Sequence, residues 1–300
     1  MKIIIIGSTG QLGSELIQQS RQRQIDHIGL DYPQLDLIDD GSLKTTLTSA
    51  APDLIVNASA YTAVDRAESQ PDLAFAINSD GPASLADFCK QRHIPLIHIS
   101  TDYVFDGRKK RAYTEKDPIS PLGVYGQSKA AGEENVRTIL ERAIIIRTAW
   151  LYGVNGQNFV KTMLRLGQKN TTVRVVNDQY GCPTYAADLA DAILQMVHQI
   201  QSHKKVIWGT YHFCGQGSTT WYHFARHIFN LAKIHTSLTV KQVLPVQTSE
   251  YPTPAKRPCN SVLDCTKIKK NFNIRIQPWE VSLEKMLDRL YHNTSRPISE

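Results

Sequence analysis

The sequence predicts an α/β fold, a doubly wound parallel sheet carrying a smaller α+β unit. Three observations lead there. Short apolar runs alternate with stretches of helical periodicity through the first half of the chain. Those runs are apolar almost throughout, as strands buried on both faces are. A glycine-rich turn, Gly7-Ser8-Thr9-Gly10-Gln11-Leu12-Gly13, joins the first run to the first helical stretch. Strands alternating with helices need crossover connections, and these build a parallel sheet with helices on both faces.

Each element follows from its local pattern. Residues 2–6 read as a strand ended by Gly7, and 11–21 as a helix. Residues 27–30 are a second strand closed by Asp31, 43–50 a helix, and 53–57 a third strand. A long helix over 73–92 leads to a fourth strand at 95–100. A helix over 124–140 precedes a fifth strand at 143–147. After Thr148 the rhythm loosens, with helices at 159–167 and 188–200 and strands at 172–176 and 210–213. Thr219 or Thr220 caps a helix running through Ala232. The proline-rich run 251–258 is extended or a loop, because a residue before proline is pushed out of the helical range. Residues 279–290 form a closing helix. The expected division is one domain over 1–150, with 185–210 returning to it, and a second over 151–184 and 211–300. Residues 203–206 and the tail after Asn293 are the pieces expected to be mobile.

The chain has 300 residues, 41% hydrophobic and 21% charged, enough for one large domain or two modest ones. No apolar run approaches the ~20 residues of a membrane span, so no membrane partner is expected. The N-terminal apolar run is too short for a signal peptide and has no small-residue cleavage site after it. Cys89, Cys182, Cys214, Cys259 and Cys265 are widely spaced and form no Cys-x-x-Cys pair. They suggest neither a disulfide framework nor a zinc site, and point to a reducing cytoplasm. A net charge of +6 suits an anionic small molecule as well as nucleic acid. The dense cluster Arg108-Lys109-Lys110-Arg111 has no aromatic interleaving and reads as a solvated loop, so no nucleic-acid partner is expected.

Two motifs carry chemistry. Gly7, Gly10 and Gly13 follow a strand and open a helix, where glycine lets backbone N–H groups approach a pyrophosphate. The spacing is Gly-x-x-Gly-x-x-Gly; a tight turn with no ligand is the competing reading. Its place in a strand–helix–strand unit favours a Rossmann-type dinucleotide site. Asp31 stands 18 residues after Gly13, where a carboxylate hydrogen-bonds an adenosine ribose. It would repel a 2′-phosphate, so NADH is expected to serve at least as well as NADPH; a solvated aspartate is the alternative. The second motif is Tyr125-Gly126-Gln127-Ser128-Lys129, a phenol and an ammonium one helical turn apart. A free tyrosine ionises near pH ~10. A neighbouring cation is expected to lower that value and make Tyr125 a general acid. Alone the pair equally fits an exposed helix face. Its company is Ser100-Thr101-Asp102-Tyr103-Val104-Phe105 and the glycine turn.

Together these motifs resemble the extended short-chain dehydrogenase/reductase family and, within it, the branch that reduces the C4 ketone of dTDP-4-dehydrorhamnose to give dTDP-L-rhamnose. The resemblance covers nearly the whole chain. It is carried by residues 7–13, 57–69, 100–105, 125–129, 147–152, 177–184 and 251–258. The first and fourth are common to the wider family, and the last three together belong to the branch. The resemblance implies NADPH or NADH as cofactor and a dTDP-sugar as substrate. It implies that Tyr125 protonates the C4 oxygen and that Thr101 hydrogen-bonds the same atom. Lys129 would bond the nicotinamide ribose and tune Tyr125. Gly10, Gln11, Leu12, Asp31, Asp36, Leu37, Ala60, Tyr61 and Thr62 match the family's cofactor contacts. Asp102 would touch the substrate, Trp150 would wall the sugar, and Lys256 and Arg257 would meet its pyrophosphate. Turn capping by Thr101, core packing by Trp150 and a solvated loop at Lys256 and Arg257 are the plainer alternatives.

One departure stands out. Some members form dimers bridged by a metal on a glutamate of the last helix, and the matching position here is Arg289. Mg²⁺ takes oxygen ligands, so no bridging metal is expected, and the chain is expected to be a monomer or weak homodimer. His223 and His227 lie one helical turn apart without further ligands and read as structural or surface residues. Two other readings compete. A dehydratase or epimerase of the same fold returns its hydride, but the dehydratases carry an acid where this chain has Tyr103. A non-catalytic regulatory relative partners methionine adenosyltransferase; Asp102, Trp150 and the 177–184 run favour the enzyme.

Overall fold

The protein is seen in a computed structural model that describes residues 1–202 and 206–294. The order is β1 (Ile3–Ile6), α1 (Gln11–Gln22), β2 (His27–Leu30), α2 (Asp40–Ala50), β3 (Leu54–Asn57), α3 (Val64–Ala67), α4 (Pro71–Phe75), α5 (Gly81–Arg92), β4 (Leu96–Thr101), α6 (Val124–Ile139) and β5 (Ala143–Thr148). Then come β6 (Leu151–Tyr152), α7 (Phe159–Lys169), β7 (Thr172–Val176), β8 (Tyr180–Gly181), β9 (Thr184–Tyr185), α8 (Ala186–Gln201) and β10 (Gly209–His212). The chain closes with β11 (Thr219–Thr220), α9 (Trp221–Ala232), β12 (Gln242–Val246), α10 (Thr266–Phe272) and α11 (Trp279–Thr294).

Six parallel strands form one sheet in the order β2-β1-β3-β4-β5-β10. In β1 the side chains alternate between faces. Ile3 and Ile5 pack toward Leu16 of α1 and Leu189 and Ile193 of α8. Ile4 and Ile6 pack toward Leu43, Leu47, Leu85 and Val136 on the other side. The inner strands β1, β3 and β5 are therefore buried on both faces, which is why the sequence shows apolar runs there and not alternation. The chain leaves β1 for β2 on one side and returns as β3 on the other. This opens a crevice at the carboxyl ends of β1 and β3, where sheets of this type bind ligands. A third apolar layer holds α7, α9 and α11 over the β7–β12 ladder through Val160, Phe224, Ile228, Leu283 and Leu287.

The expected helix over 73–92 is broken. A π-helical turn, Ala76–Asp80, separates α4 from α5. Pro82 sits at the start of α5 and has no N–H to give to the carbonyl one turn back, so the regular ladder cannot run through. The freed Asn78 carbonyl packs on α6, where a Cβ at Gly132 would lie 2.0 Å from it. The strand expected at 210–213 is β10, which pairs with β5 in the main sheet. Residues 203–205 and 295–300, among those expected to be mobile, lie outside the described residues. No helix among the described residues is long and apolar enough to cross a membrane.

Candidate active site

One wall of the site is the glycine turn. Gly7 has φ +77°, and a Cβ there would lie 2.7 Å from Ser59 N. A Cβ at Gly13 would lie 2.0 Å from Gly7 O. The turn thus closes tightly on the 58–59 segment and on α1, as only glycine permits. Gly10 is the N-cap of α1 and supplies no side-chain cap. The first-turn N–H groups are left for a ligand, with the positive end of the helix dipole behind them. Asp31 Oδ2 accepts from Thr9 N (2.9 Å) and Thr9 Oγ1 (2.6 Å), which ties the end of β2 to this turn.

The opposite wall is built by β4, α6 and the segment after β5. A cavity of about 680 Å³ runs between the two walls. Gly7, Gly10, Gln11, Leu12 and Asp31 line it on the turn side, and Ala60 and Thr62 line it from the loop after β3. Thr101, Asp102, Tyr125, Lys129 and Trp150 face them. The sequence-selected residues are therefore mostly brought together. Gly13 is spent on packing the turn. Leu37 is buried in the core under α5. Asp36 caps its own loop through Ile38 N (3.1 Å). Tyr61 donates to Gln70 Oε1 (2.6 Å). Lys256 is exposed, and Arg257 pairs with Asp65 (2.8 Å). None of these six lines the cavity. The 108–111 cluster lines a separate surface cavity, with Lys109 paired to Asp117.

The tuning of Tyr125 differs from expectation. Desolvation pushes its phenol up to about 12, with the Thr101 hydroxyl pulling the other way and the Asp102 charge adding to the rise. The Lys129 ammonium makes no hydrogen bond to this phenol among the described residues. Lys129 Nζ donates to Ile99 O (2.7 Å) and faces His98 Nε2 (3.4 Å). Burial pulls Lys129 down to about 8. Tyr125 is thus a protonated phenol at neutral pH. That suits donation to an alkoxide, which is far more basic than a phenolate.

Thr101 serves two purposes. Its Oγ1 accepts from Tyr103 N (3.2 Å), capping a short 3₁₀ turn, and donates to Asp102 Oδ1 (3.0 Å). Asp102 is buried, and burial pushes its carboxyl up to about 6 despite the nearby Ser261 and Thr101 hydroxyls. Ser261 Oγ is turned to Tyr180 O (3.3 Å), which leaves Asp102 Oδ2 without a hydrogen-bond partner among the described residues. Trp150 both packs and lines. Its indole stacks on Trp221 at 3.4 Å, and Gly181 leaves no room for a Cβ on the other side. Its φ of +48° is unusual for a bulky residue and turns the chain from β5 into the cavity wall. Tyr103 sets its ring edge-on to Tyr125 at 5.5 Å, and burial raises its phenol.

Three groups escaped sequence reasoning. Asn78, in the π turn, accepts from Tyr61 N (2.9 Å) and donates to Ser128 Oγ (3.0 Å), joining the loop after β3 to α6. Glu133 and Arg147 form a buried pair (2.6 and 2.8 Å) that fixes α6 to β5, and Ser100 Oγ donates to the same carboxylate (2.5 Å). His98 and Asn57 lie behind Lys129. The available signal was polar residues inside otherwise apolar runs, where an unpartnered polar group would be costly.

Arg289 donates to both Glu15 carboxylate oxygens (2.9 and 2.7 Å) and to Tyr185 Oη (3.3 Å). It binds α11 to α1. Among the described residues no group of His, Cys, Asp and Glu is arranged to hold a metal. His227 packs against Trp279, and His223 is exposed.

The comparisons with known proteins agree with this geometry. The family described as RmlD substrate binding domain matches residues 1–292. A dTDP-4-dehydrorhamnose reductase of Sinorhizobium fredii is 41% identical over 288 residues, covering 96% of this chain and 97% of the relative. A crystal structure of such a reductase from Clostridium acetobutylicum superposes with a TM-score of 0.90 at 39% identity, over 97% of this chain and 99% of that one. The Bacillus anthracis reductase in complex with NADP gives 0.89 at 37% identity, over 96% and 99% of the two chains. This chain belongs to the RmlD substrate binding domain family, that of the dTDP-4-dehydrorhamnose reductases.

Proposed function

We infer that the protein reduces the C4 ketone of dTDP-4-dehydrorhamnose to dTDP-L-rhamnose with NADPH or NADH. The observation that carries this reading is Tyr125, with Thr101 beside it, in the same cavity as the uncapped N-terminus of α1. The chain's residues fit a nicotinamide dinucleotide. The N–H groups at Gln11 and Leu12 would take its pyrophosphate and Asp31 an adenosine ribose hydroxyl, while the Gly10 N–H is held by Gly7 O (3.1 Å). Lys129 would reach the nicotinamide ribose. When bound, such a cofactor supplies hydride.

The protein's share is to bind, orient and supply a proton. Tyr125 Oη gives its proton to the C4 oxygen as that oxygen gains negative charge, and the Thr101 hydroxyl, turning its one proton away from Asp102 Oδ1, donates a second hydrogen bond to it. Trp150 packs against the sugar and helps exclude water, and Asp102 accepts from a sugar hydroxyl. Arg257, paired with Asp65, and the exposed Lys256 would have to turn toward the cavity to meet the nucleotide's phosphates. Tyr103 is not an acid, which supports net reduction over elimination. We further propose a monomer or weak homodimer without a bridging metal, working in the cytoplasm; the Arg289–Glu15 pair and five free thiols support this.

The test is consumption of NADPH or NADH with dTDP-4-dehydrorhamnose. One cofactor oxidised per sugar reduced is expected; no net oxidation would overturn the reading. Tyr125→Phe is expected to lower turnover by about 10²–10⁴-fold, the usual worth of a positioned acid. Cofactor affinity, read by fluorescence titration, should change little. Undiminished turnover would remove Tyr125 from its role.

A further inference from the structure

His98, on β4, is fully buried behind the cavity. Its Nε2 lies 3.4 Å from Lys129 Nζ, and its Nδ1 lies 3.1 Å from Asn57 Nδ2. The position of its proton follows from the donors around it. Ser59 N can only donate, and it points at Asn57 Oδ1 (3.1 Å). Ser59 Oγ donates to the same atom (2.6 Å). Oδ1 is therefore the acceptor end of that amide, and the end facing His98 is its NH₂. His98 Nδ1 must accept. A neutral ring then carries its proton on Nε2, aimed at Lys129. The imidazolium is disfavoured too, since burial and the Lys129 charge hold His98 well below its ordinary pKa.

An ammonium has three donors and no acceptor. One Lys129 donor goes to Ile99 O (2.7 Å), and the side facing His98 meets another N–H. An amine at the same place accepts that N–H. The remaining neighbours do not offset this. Glu133, one turn along α6, favours the charged lysine, but both its oxygens are engaged with Arg147, and Ser100 shares one of them. On the cavity side Lys129 shares the lining with the neutral phenol of Tyr125 and with Asp102.

We propose that His98 is a positioning residue for Lys129: held by Asn57 with its proton on Nε2, it loosens the lysine's proton and sets the pH at which Lys129 loses its charge. Where it concerns turnover, the proposal rests on the reductase reading. The charged lysine is the form that holds the ribose and offsets the phenolate left on Tyr125. Reduction therefore declines on the alkaline side as Lys129 titrates.

Two measurements decide it. In protein labelled with [¹⁵N]histidine, His98 is expected to show a protonated Nε2 and a bare Nδ1 across neutral pH. His212 serves as the internal contrast, because its Nδ1 donates to Tyr113 O (3.1 Å) and so carries the opposite tautomer. A protonated Nδ1 on His98 overturns the proposal. In [¹³C]lysine-labelled protein, His98→Gln can turn its amide oxygen to Lys129. It is expected to raise the Lys129 titration midpoint by about one pH unit, with the alkaline limb of kcat/KM following. Asn57→Ala frees the tautomer and is expected to shift the midpoint the same way, should His98→Gln not fold. An unmoved midpoint overturns the proposal. The lysine titration needs no substrate, so a shifted midpoint upholds the role of His98 even if the substrate were another ketone.

Discussion

Asp102 is the residue whose surroundings cost the fold most plainly. Its carboxyl is buried, one oxygen lacks a partner, and its folded pKa of about 6 lies above the unfolded value near 3.9. The folded state therefore holds its proton more tightly, so stability falls as pH rises from about 4 through about 6. Asp102→Asn removes that penalty. It is expected to raise Tm at neutral pH, with the gain disappearing near pH 4, while turnover drops. A variant no more stable than wild type at neutral pH would show that Asp102 is satisfied in solution. Spacing put Tyr125 and Lys129 on one helix face and the resemblance added Thr101 and Asp102; all four line one cavity, because one helical turn and one strand end determine which side chains are neighbours. It misjudged the Tyr125 pKa, because desolvation depends on what covers a group, and that is not written in the interval between two residues. The side chains of Asp36 and Leu37, in the segment after β2, are taken up by its own turn and by the core.

At the scale of elements, α6 carries the reacting phenol and must not slide on the sheet. Glu133 and Arg147 secure it, both almost fully buried, with the guanidinium also over the Phe105 ring at 5.1 Å. Removing one partner strands the other charge. Glu133→Gln is expected to cost about 3–5 kcal/mol in chemical denaturation, and a loss below about 1 kcal/mol would mean water reaches the pair. The strands themselves were legible, since burial on both faces leaves a run such as Ile3–Ile6 that little else explains. The π turn at Ala76–Asp80 was not, although Pro82 was in plain view. A proline near a helix start is ordinary, and only the packing of Asn78 on Gly132 shows why the chain bulges there. The short ladders β6–β9 and β8–β11 escaped as well, each being two residues long and held by tertiary contacts.

At the scale of the whole molecule, an ion pair ties the last helix to the first. Arg289 spans from α11 to the buried Glu15 of α1, whose N-terminus forms the glycine wall. Chelation with EDTA is expected to leave activity and oligomeric state unchanged, as judged by turnover and sedimentation; loss of either would reveal a metal that Arg289 does not replace. Reduction at C4 requires this cavity to bring a hydride donor and Tyr125 to one carbonyl. The most direct measurement supplies NADPH deuterated at the transferring position with dTDP-4-dehydrorhamnose and reads the product by mass spectrometry and NMR. One deuterium at C4 of the sugar for each cofactor oxidised is the predicted result. Product without deuterium, or deuterium at another carbon, would contradict it.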